Sequence, residues 1–204
     1  MAVRPLRLAL AAALAWATVG CTGNDEPSSP AEPTTSASSP AATGSAPTLD
    51  GQDASLEVSI EQLSGAIRRE QRPVLKRLIS KPIAAWISAG YSAEAAAGGS
   101  YPKAFAGWTK DAERLARRDD DVTTNATMGK DLTGVVVAKS RARLYVFAAK
   151  GRTGGATARV NVRMTGERQD GSSTSYAVTG RLYLTREQSR WRIFGYDLTH
   201  TEIR

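Results

Sequence analysis

His200 is the only histidine of the chain, and it is therefore the first candidate for proton transfer near neutral pH. Asp197 is the nearby carboxylate that could orient it. Residues at this odd spacing point to opposite faces of a continuing strand, so the spacing does not predict a His–Asp dyad. We interpret His200 as an exposed residue near the C-terminus, and we predict no catalytic residues and no enzyme.

Two further sequence patterns could bind a metal ion or a phosphate group, but neither has the residues and spacing that such binding requires. Asp119, Asp120 and Asp121 are consecutive and point in different directions, whereas a metal ion needs oxygens that converge. Residues 151–155 are rich in glycine, but they lack a lysine at the phosphate-loop spacing and do not open a helix. The sequence therefore predicts neither a metal site nor a cofactor.

Four arginines form the better candidate site, because they alternate outward along strands that could be neighbours. They are Arg159, Arg163, Arg181 and Arg192. Like charges on adjacent strands cost stability unless water or a partner screens them. Guanidinium groups bind phosphate and carboxylate groups well. We predict an anion-binding face here, with a merely solvated face as the alternative.

After residue 130, apolar and polar residues alternate with a period of two, and this pattern predicts the strands that position the arginines. The pattern predicts strands over 133–138, 141–150, 157–166, 174–185 and 190–198, with a turn or bulge at Lys139-Ser140 and a loop at 151–155. The residues predicted to face inward are Leu144, Val146, Val160, Val162, Met164, Val178, Leu182, Leu184 and Ile193.

The preceding half of the domain shows a helical period. A short strand at 56–60 could cover an edge, and a helix begins at Pro73. Proline disfavours helical geometry for the residue before it, so we expect a break or kink at Lys81-Pro82 and a second helix from about Pro82 to Tyr91. A third helix begins at Pro102. The predicted fold class is α+β, with three N-terminal helices packed on a curved four- to five-stranded antiparallel sheet.

The net charge of +7 is distributed unevenly along the chain. Residues 22–53 carry five carboxylates and no Lys or Arg, whereas residues 54–204 carry 25 Lys or Arg and 15 Asp or Glu. A basic exported domain could be attracted to anionic lipid head groups or acidic wall polymers, and a solvated basic surface is the alternative.

Residues 1–20 have the pattern of a signal peptide. Arg4 and Arg7 precede an apolar run over 8–19, which is too short to span a hydrocarbon core of about 30 Å. Residues 21–53 are rich in Ser, Thr and Pro, and we expect a disordered tether that reaches about 100 Å when fully extended. Residues 54–204 are predicted to form a single domain.

Thr18-Val19-Gly20-Cys21 resembles the lipobox of bacterial lipoproteins, although Thr18 stands where Leu, Val or Ile is usual. The resemblance implies that Cys21 carries a lipid that anchors the chain to the extracytoplasmic face of the cell membrane. Ordinary secretion after cleavage near Ala15-Trp16-Ala17 and an uncleaved anchor are the alternatives. Cys21 is the only cysteine, so no disulfide can form within the chain.

The segments GRLYL (180–184) and WRIFGYD (191–197) follow predicted helices, and together they resemble nuclear transport factor 2-like (cystatin-like) domains. The tail is similar to exported members associated with mammalian-cell-entry transport systems. The resemblance covers roughly residues 70–200 and implies a half-cone with a hollow between helices and sheet. The expected lining of this hollow is Trp86, Phe105, Trp108 and Tyr176.

The function that we expect is a membrane-anchored extracytoplasmic lipoprotein whose domain is a non-catalytic interaction or accessory module of the cell envelope. Its expected partners are the membrane, through the lipid, and an envelope protein or an anionic wall or lipid component. Nucleic acid is not expected. The alternatives are a carrier that holds a small molecule or lipid in the hollow, and a cyclase- or dehydratase-like enzyme.

Overall fold

Five strands of the described residues form one sheet in the sequential order β1-β2-β3-β4-β5. They are β1 (Leu56–Ser64), β2 (Leu132–Ala149), β3 (Arg152–Arg168), β4 (Ser173–Glu187) and β5 (Arg190–Ile203). β1 pairs with β2 in parallel, and the other three pairs are antiparallel. The sheet is therefore mixed.

The structure is a computed structural model that describes residues 55–91 and 101–203. The predicted signal peptide and the whole predicted tether, which includes Cys21, lie outside these residues. Within them, the helices are α1 (Arg72–Tyr91), α2 (Lys110–Ala116) and α3 (Asp120–Thr123), with 3-10 turns at Arg69–Gln71 and Met128–Asp131. None of these helices is long and apolar enough to cross a membrane.

The predicted fold class, three N-terminal helices on an antiparallel sheet, is wrong. β1 precedes the helices, and the chain returns through them to β2, which runs in the same direction as β1. A parallel pair needs such a crossover connection, and alternation along a strand does not reveal its direction. The helical part is also smaller than predicted, with one long helix and two short ones among the described residues.

The prediction of a break with a second helix that begins at Pro82 is wrong, because α1 continues through that residue. Proline inside a helix usually costs about 3 kcal/mol through a lost hydrogen bond and a steric clash. Here Pro82 is buried against the backbone at Gly107. Burial of the apolar proline ring acts in the opposite direction, and the two predicted helices are one.

The helix predicted from Pro102 is also displaced. Residues 102–107 form successive turns, and α2 begins only at Lys110. Thr109 caps this helix, because its side-chain oxygen accepts a hydrogen bond from the Ala112 backbone N–H over 3.4 Å. Phe105 and Trp108 therefore lie in the segment that precedes the helix.

The predicted inner face of the sheet is confirmed, because all nine residues assigned to it are buried. They pack with the buried side of α1 in one apolar core, to which Leu75, Ile79, Ile83, Trp86 and Ile87 contribute. Residues 132–149 form one strand with a bulge between Val137 and Lys139, so the bulge alternative at this point is confirmed. The loop predicted at 151–155 is wrong, since β3 begins at Arg152.

Candidate anion-binding surface

Three arginines lie side by side across the outer face of the sheet. Arg143 on β2 is the register partner of Arg159 on β3, and Arg159 is the register partner of Arg181 on β4. Neighbouring strands are about 4.8 Å apart, so three guanidinium groups start from adjacent backbone positions. The apolar partners on the inner face hold this arrangement in place, because a slip of one residue would turn the arginines into the core.

Three more cations extend the row toward one end of the sheet. Lys139 is the register partner of Arg163, and Arg141 is the register partner of Asn161. The bulge before Lys139 turns Lys139, Arg141 and Arg143 to the outer face. We call the six cations Lys139, Arg141, Arg143, Arg159, Arg163 and Arg181 the arginine surface.

Two shallow depressions lie within the arginine surface and share Arg159. The first has a volume of about 340 Å³ and is lined by Lys139, Arg141, Arg143, Arg159, Val160, Asn161 and Arg163. The second has a volume of about 370 Å³ and is lined by Arg159, Val160, Thr179, Gly180, Arg181, Asp197 and Thr199. The first depression has five cationic side chains and no carboxylate in its lining, which makes it suitable for an anion.

Within the described residues, the carboxylates of Glu57 and Asp197 lie at the margins of the arginine surface. Arg141 donates two hydrogen bonds to Glu57 Oε2, over 3.0 Å from Nε and 2.9 Å from Nη2. Asp197 on β5 is the register partner of Arg181. In the part of the chain that the structure describes, no ion pair is formed by Lys139, Arg143, Arg159, Arg163 or Arg181. Their charges are therefore available to an external anion.

The structure brings together three of the four predicted arginines and separates the fourth. Arg192 is the register partner of Thr185, four positions along β4 from Arg181. Its Nη1 donates to the Trp108 carbonyl oxygen over 3.0 Å, and its Nε lies 3.7 Å from Glu187 Oε2. The prediction missed Lys139, Arg141 and Arg143 as site residues, although the alternating sequence RAR over 141–143 signals two outward cations.

The predicted lining of the hollow is largely a packed aromatic cluster. Trp86, Phe105 and Trp108 are buried, and the Trp108 ring lies 6.2 Å from that of Trp86 and 5.4 Å from that of Phe105. Trp86 Nε1 also donates to the Thr123 carbonyl oxygen over 2.8 Å. These side chains fill the space between them. Tyr176 is not in ring contact with them and packs against His200 instead, at 5.3 Å between ring centroids.

His200 is half-buried on the inner side of β5, so its interpretation as an exposed terminal residue is wrong. The strand continues to Ile203 and carries His200 with it. Burial lowers the pKa of His200, and the negative charges of Asp121 and Glu202 oppose this shift. Asp197 is exposed and is the register partner of the outward Arg181, so Asp197 and His200 face opposite sides of the sheet as predicted.

Asp119 and Asp120 accept hydrogen bonds from different neighbours. Asp119 accepts a hydrogen bond from the Tyr196 hydroxyl over 2.5 Å, and the Asp120 backbone carbonyl accepts from the Thr124 hydroxyl over 2.6 Å. Among the described residues, no group of three or more His, Cys, Asp or Glu side chains could hold a metal ion.

Comparisons with protein families, with curated proteins and with solved structures find no match to this chain. The resemblances to bacterial lipoproteins and to nuclear transport factor 2-like domains therefore stay predictions.

Proposed function

We propose that the chain is a bacterial lipoprotein, anchored through Cys21 on the extracytoplasmic face of the cell membrane, and that its domain is a non-catalytic interaction module of the cell envelope. The module binds an anionic component of the envelope through the arginine surface. The observation that carries this proposal is the row of register partners Arg143, Arg159 and Arg181, with Arg159 in two depressions at once.

The chemistry of the ligand follows from these side chains. A guanidinium group donates hydrogen bonds in a planar fork that fits phosphate and carboxylate oxygens. Outward residues on one strand are about 6.7 Å apart, and neighbouring strands are about 4.8 Å apart. A polymer with repeated negative charges can therefore contact several of the cations at once, whereas a monoanion would meet one or two.

An anion also removes a cost that the free protein bears. Arg159 has a like charge on each neighbouring strand, and cross-strand pairs of like charge are destabilising. Part of this cost is offset within the protein, because the Arg159 guanidinium lies 5.5 Å from the centre of the Tyr145 ring. Bound phosphate would neutralise the remaining repulsion.

The two alternative functions have less support. A carrier function would use the hollow, but Trp86, Phe105 and Trp108 occupy it with their own rings. An enzyme would need an oriented acid or base. His200 faces the inner side, yet its Nε2 has no hydrogen-bond partner within the described residues, so no contact at that atom prepares it for proton transfer.

Binding of inorganic polyphosphate to the chain from residue 21 onward tests the arginine surface. We expect binding that weakens as salt rises, and a loss of affinity of about tenfold for each guanidinium removed in Arg143→Ala, Arg159→Ala and Arg181→Ala. The matched control removes three exposed arginines elsewhere, Arg68, Arg77 and Arg118. Equal losses in both triple variants would mean that only the net charge matters and would reject the site.

The anchor is tested separately by intact mass and membrane fractionation of the native protein and a Cys21→Ala variant. We expect a diacylglyceryl mass on Cys21 and loss of the variant from the membrane fraction. A native protein without lipid that begins at another residue would reject the anchor and leave the arginine surface as a separate question.

A further inference from the structure

Four aromatic side chains lie on the outer face of the sheet next to the arginine surface. Tyr145 and Tyr183 follow Arg143 and Arg181 at the next outward positions of β2 and β4. Phe147 follows Tyr145 on β2, and the Phe194 ring lies 6.3 Å from that of Tyr183. We call Tyr145, Phe147, Tyr183 and Phe194 the aromatic band.

The two phenylalanines of the aromatic band are mostly in water. Phe147 is 61% exposed and Phe194 is 52% exposed. The register partner of Phe147 on β3 is Gly155, which has no side chain to cover the ring. A single exposed apolar side chain is ordinary on a protein surface. Two phenylalanines beside two tyrosines and six cations, all on one face of one sheet, make that face amphipathic.

We propose that the arginine surface and the aromatic band together form a docking face for a bilayer that contains anionic lipids. This inference rests on the proposed function, because the same arginines bind the anionic groups. The cations meet the lipid phosphates, and the Phe147 and Phe194 rings enter the boundary between head groups and acyl chains. The domain then lies with the outer face of its sheet against the membrane.

The exposed Phe147 and Phe194 favour a bilayer over a soluble polymer as the partner of this face. A phosphate polymer offers partners for Arg143, Arg159 and Arg181 but no apolar medium for a phenyl ring, which has no polar atom to pair. A bilayer offers both kinds of contact. The tyrosines fit the same environment, because an aromatic ring with a hydroxyl group is favoured at the level of the lipid head groups.

The charge of the face is complementary to an anionic membrane. Glu57 and Asp197 lie at opposite margins of the arginine surface, on β1 and β5, and the strands between them present the cations. Each Lys or Arg near an anionic membrane strengthens binding about fivefold. Several such contacts, added to a lipid on Cys21, would hold the domain on the membrane in one orientation.

Vesicle sedimentation tests the docking face without the lipid anchor. The protein is the chain from residue 21 onward with Cys21→Ala, and the vesicles are phosphatidylcholine alone or with three parts in ten phosphatidylglycerol. We expect binding only to the anionic vesicles. The double variant Phe147→Ala and Phe194→Ala should bind these vesicles about tenfold more weakly and should bind polyphosphate as well as its parent does.

Leu115→Ala is the matched control, because Leu115 is 51% exposed on α2. This variant should bind the anionic vesicles like its parent. If the parent binds polyphosphate but not the vesicles, or if the phenylalanine variant binds vesicles normally, the docking face is rejected and the proposed function stands. If neither polyphosphate nor the vesicles are bound, the proposed function fails as well.

A fluorescent variant tests the depth of the ring directly. Trp86, Trp108 and Trp191 are buried, so Phe194→Trp adds a solvent-exposed emitter to a shielded background. Anionic vesicles should shift its emission to the blue, and brominated acyl chains should quench it, whereas polyphosphate should do neither. Vesicle binding without a shift would show that Phe194 stays in water and would overturn the proposed docking.

Discussion

Gly107 lies directly against Pro82, and this contact joins the turn segment before α2 to the middle of α1. A Cβ atom added at Gly107 would lie 2.8 Å from Pro82 Cβ and 3.1 Å from Pro82 Cα. Such distances are shorter than carbon–carbon van der Waals contact. Gly107 lacks a side chain and therefore allows this close approach of Pro82.

Gly107→Ala should therefore destabilise the domain by about 1–3 kcal/mol, because the added methyl group must displace backbone in a packed core. Urea unfolding followed by tryptophan fluorescence measures this change. Gly154→Ala is the control, since no atom lies within 4 Å of the Cβ position there. If both variants have the stability of the parent, Pro82 and Gly107 are not in such close contact.

Arg143→Thr should have opposite effects on stability and on anion binding. Its cross-strand neighbours are Ser59 and Arg159, so the substitution removes a like-charge pair and introduces a residue that favours strands. We expect a gain of about 0.5 kcal/mol in the free energy of unfolding at low salt, shrinking as salt screens the charges, together with weaker polyphosphate binding.

Asp197→Asn provides a control of opposite sign for Arg143→Thr. It removes the negative register partner of Arg181. Polyphosphate should bind this variant more tightly, and its stability should be slightly lower than that of the parent. Lower stability of Arg143→Thr at low salt would contradict the proposed repulsion within the arginine surface.

Alternation in the sequence predicted which residues of the sheet are buried, because side chains on a strand point to opposite faces in turn. Leu144, Val162 and Leu182, for example, are fully buried as predicted. Alternation is the same in parallel and antiparallel strands, however, so it could not give the direction of β1. That direction depends on the path of the chain through the helices.

Alternation could not predict the register between strands either. Arg192 faces outward as predicted, but its distance from Arg181 depends on how β4 and β5 pair, and the bulge near Phe194 changes that pairing. The same bulge reverses the parity of β5. Trp191 and Ile193 are buried before it, whereas Tyr196, Leu198 and His200 are the inward residues after it. A single period of two over residues 190–203 could not reveal this reversal.

The lowered pKa of His200 makes the stability of the domain depend on pH. Because burial lowers the pKa in the folded state below about 6.5, the unfolded chain binds a proton first as the pH falls. His200 should therefore not reduce the free energy of unfolding above about pH 7. That free energy should fall as the pH decreases from there through the pKa of His200 in the folded state. Urea unfolding at a series of pH values from 7.5 to 5 measures this trend.

A His200→Gln variant identifies the group responsible for this pH dependence. It keeps a polar side chain beside Tyr176 but has no proton to gain in this range. Its free energy of unfolding should change less between pH 7.5 and 5 than that of the parent protein. Equal slopes for the two proteins would show that groups other than His200 cause the dependence.

The hydrogen bond from Tyr196 to Asp119 connects the last strand to the start of α3. The Tyr196 ring also packs against Trp108, at 5.4 Å between ring centroids. Burial raises the pKa of Tyr196, and the hydrogen bond to Asp119 and the charges of Asp119 and Asp121 raise it further. Tyr196 should therefore stay protonated in the folded protein well above pH 10, which ultraviolet titration of the tyrosines can follow.

Tyr196→Phe removes the hydroxyl group and keeps the ring, so it isolates the hydrogen bond from the packing. We expect a loss of about 1 kcal/mol in the free energy of unfolding, since a hydrogen bond to a carboxylate is stronger than a neutral one but this bond is partly open to solvent. A double-mutant cycle with Asp119→Ala gives the coupling between the two side chains. The bond requires a favourable coupling energy, and additive losses would show that Tyr196 stabilises the domain through its ring alone.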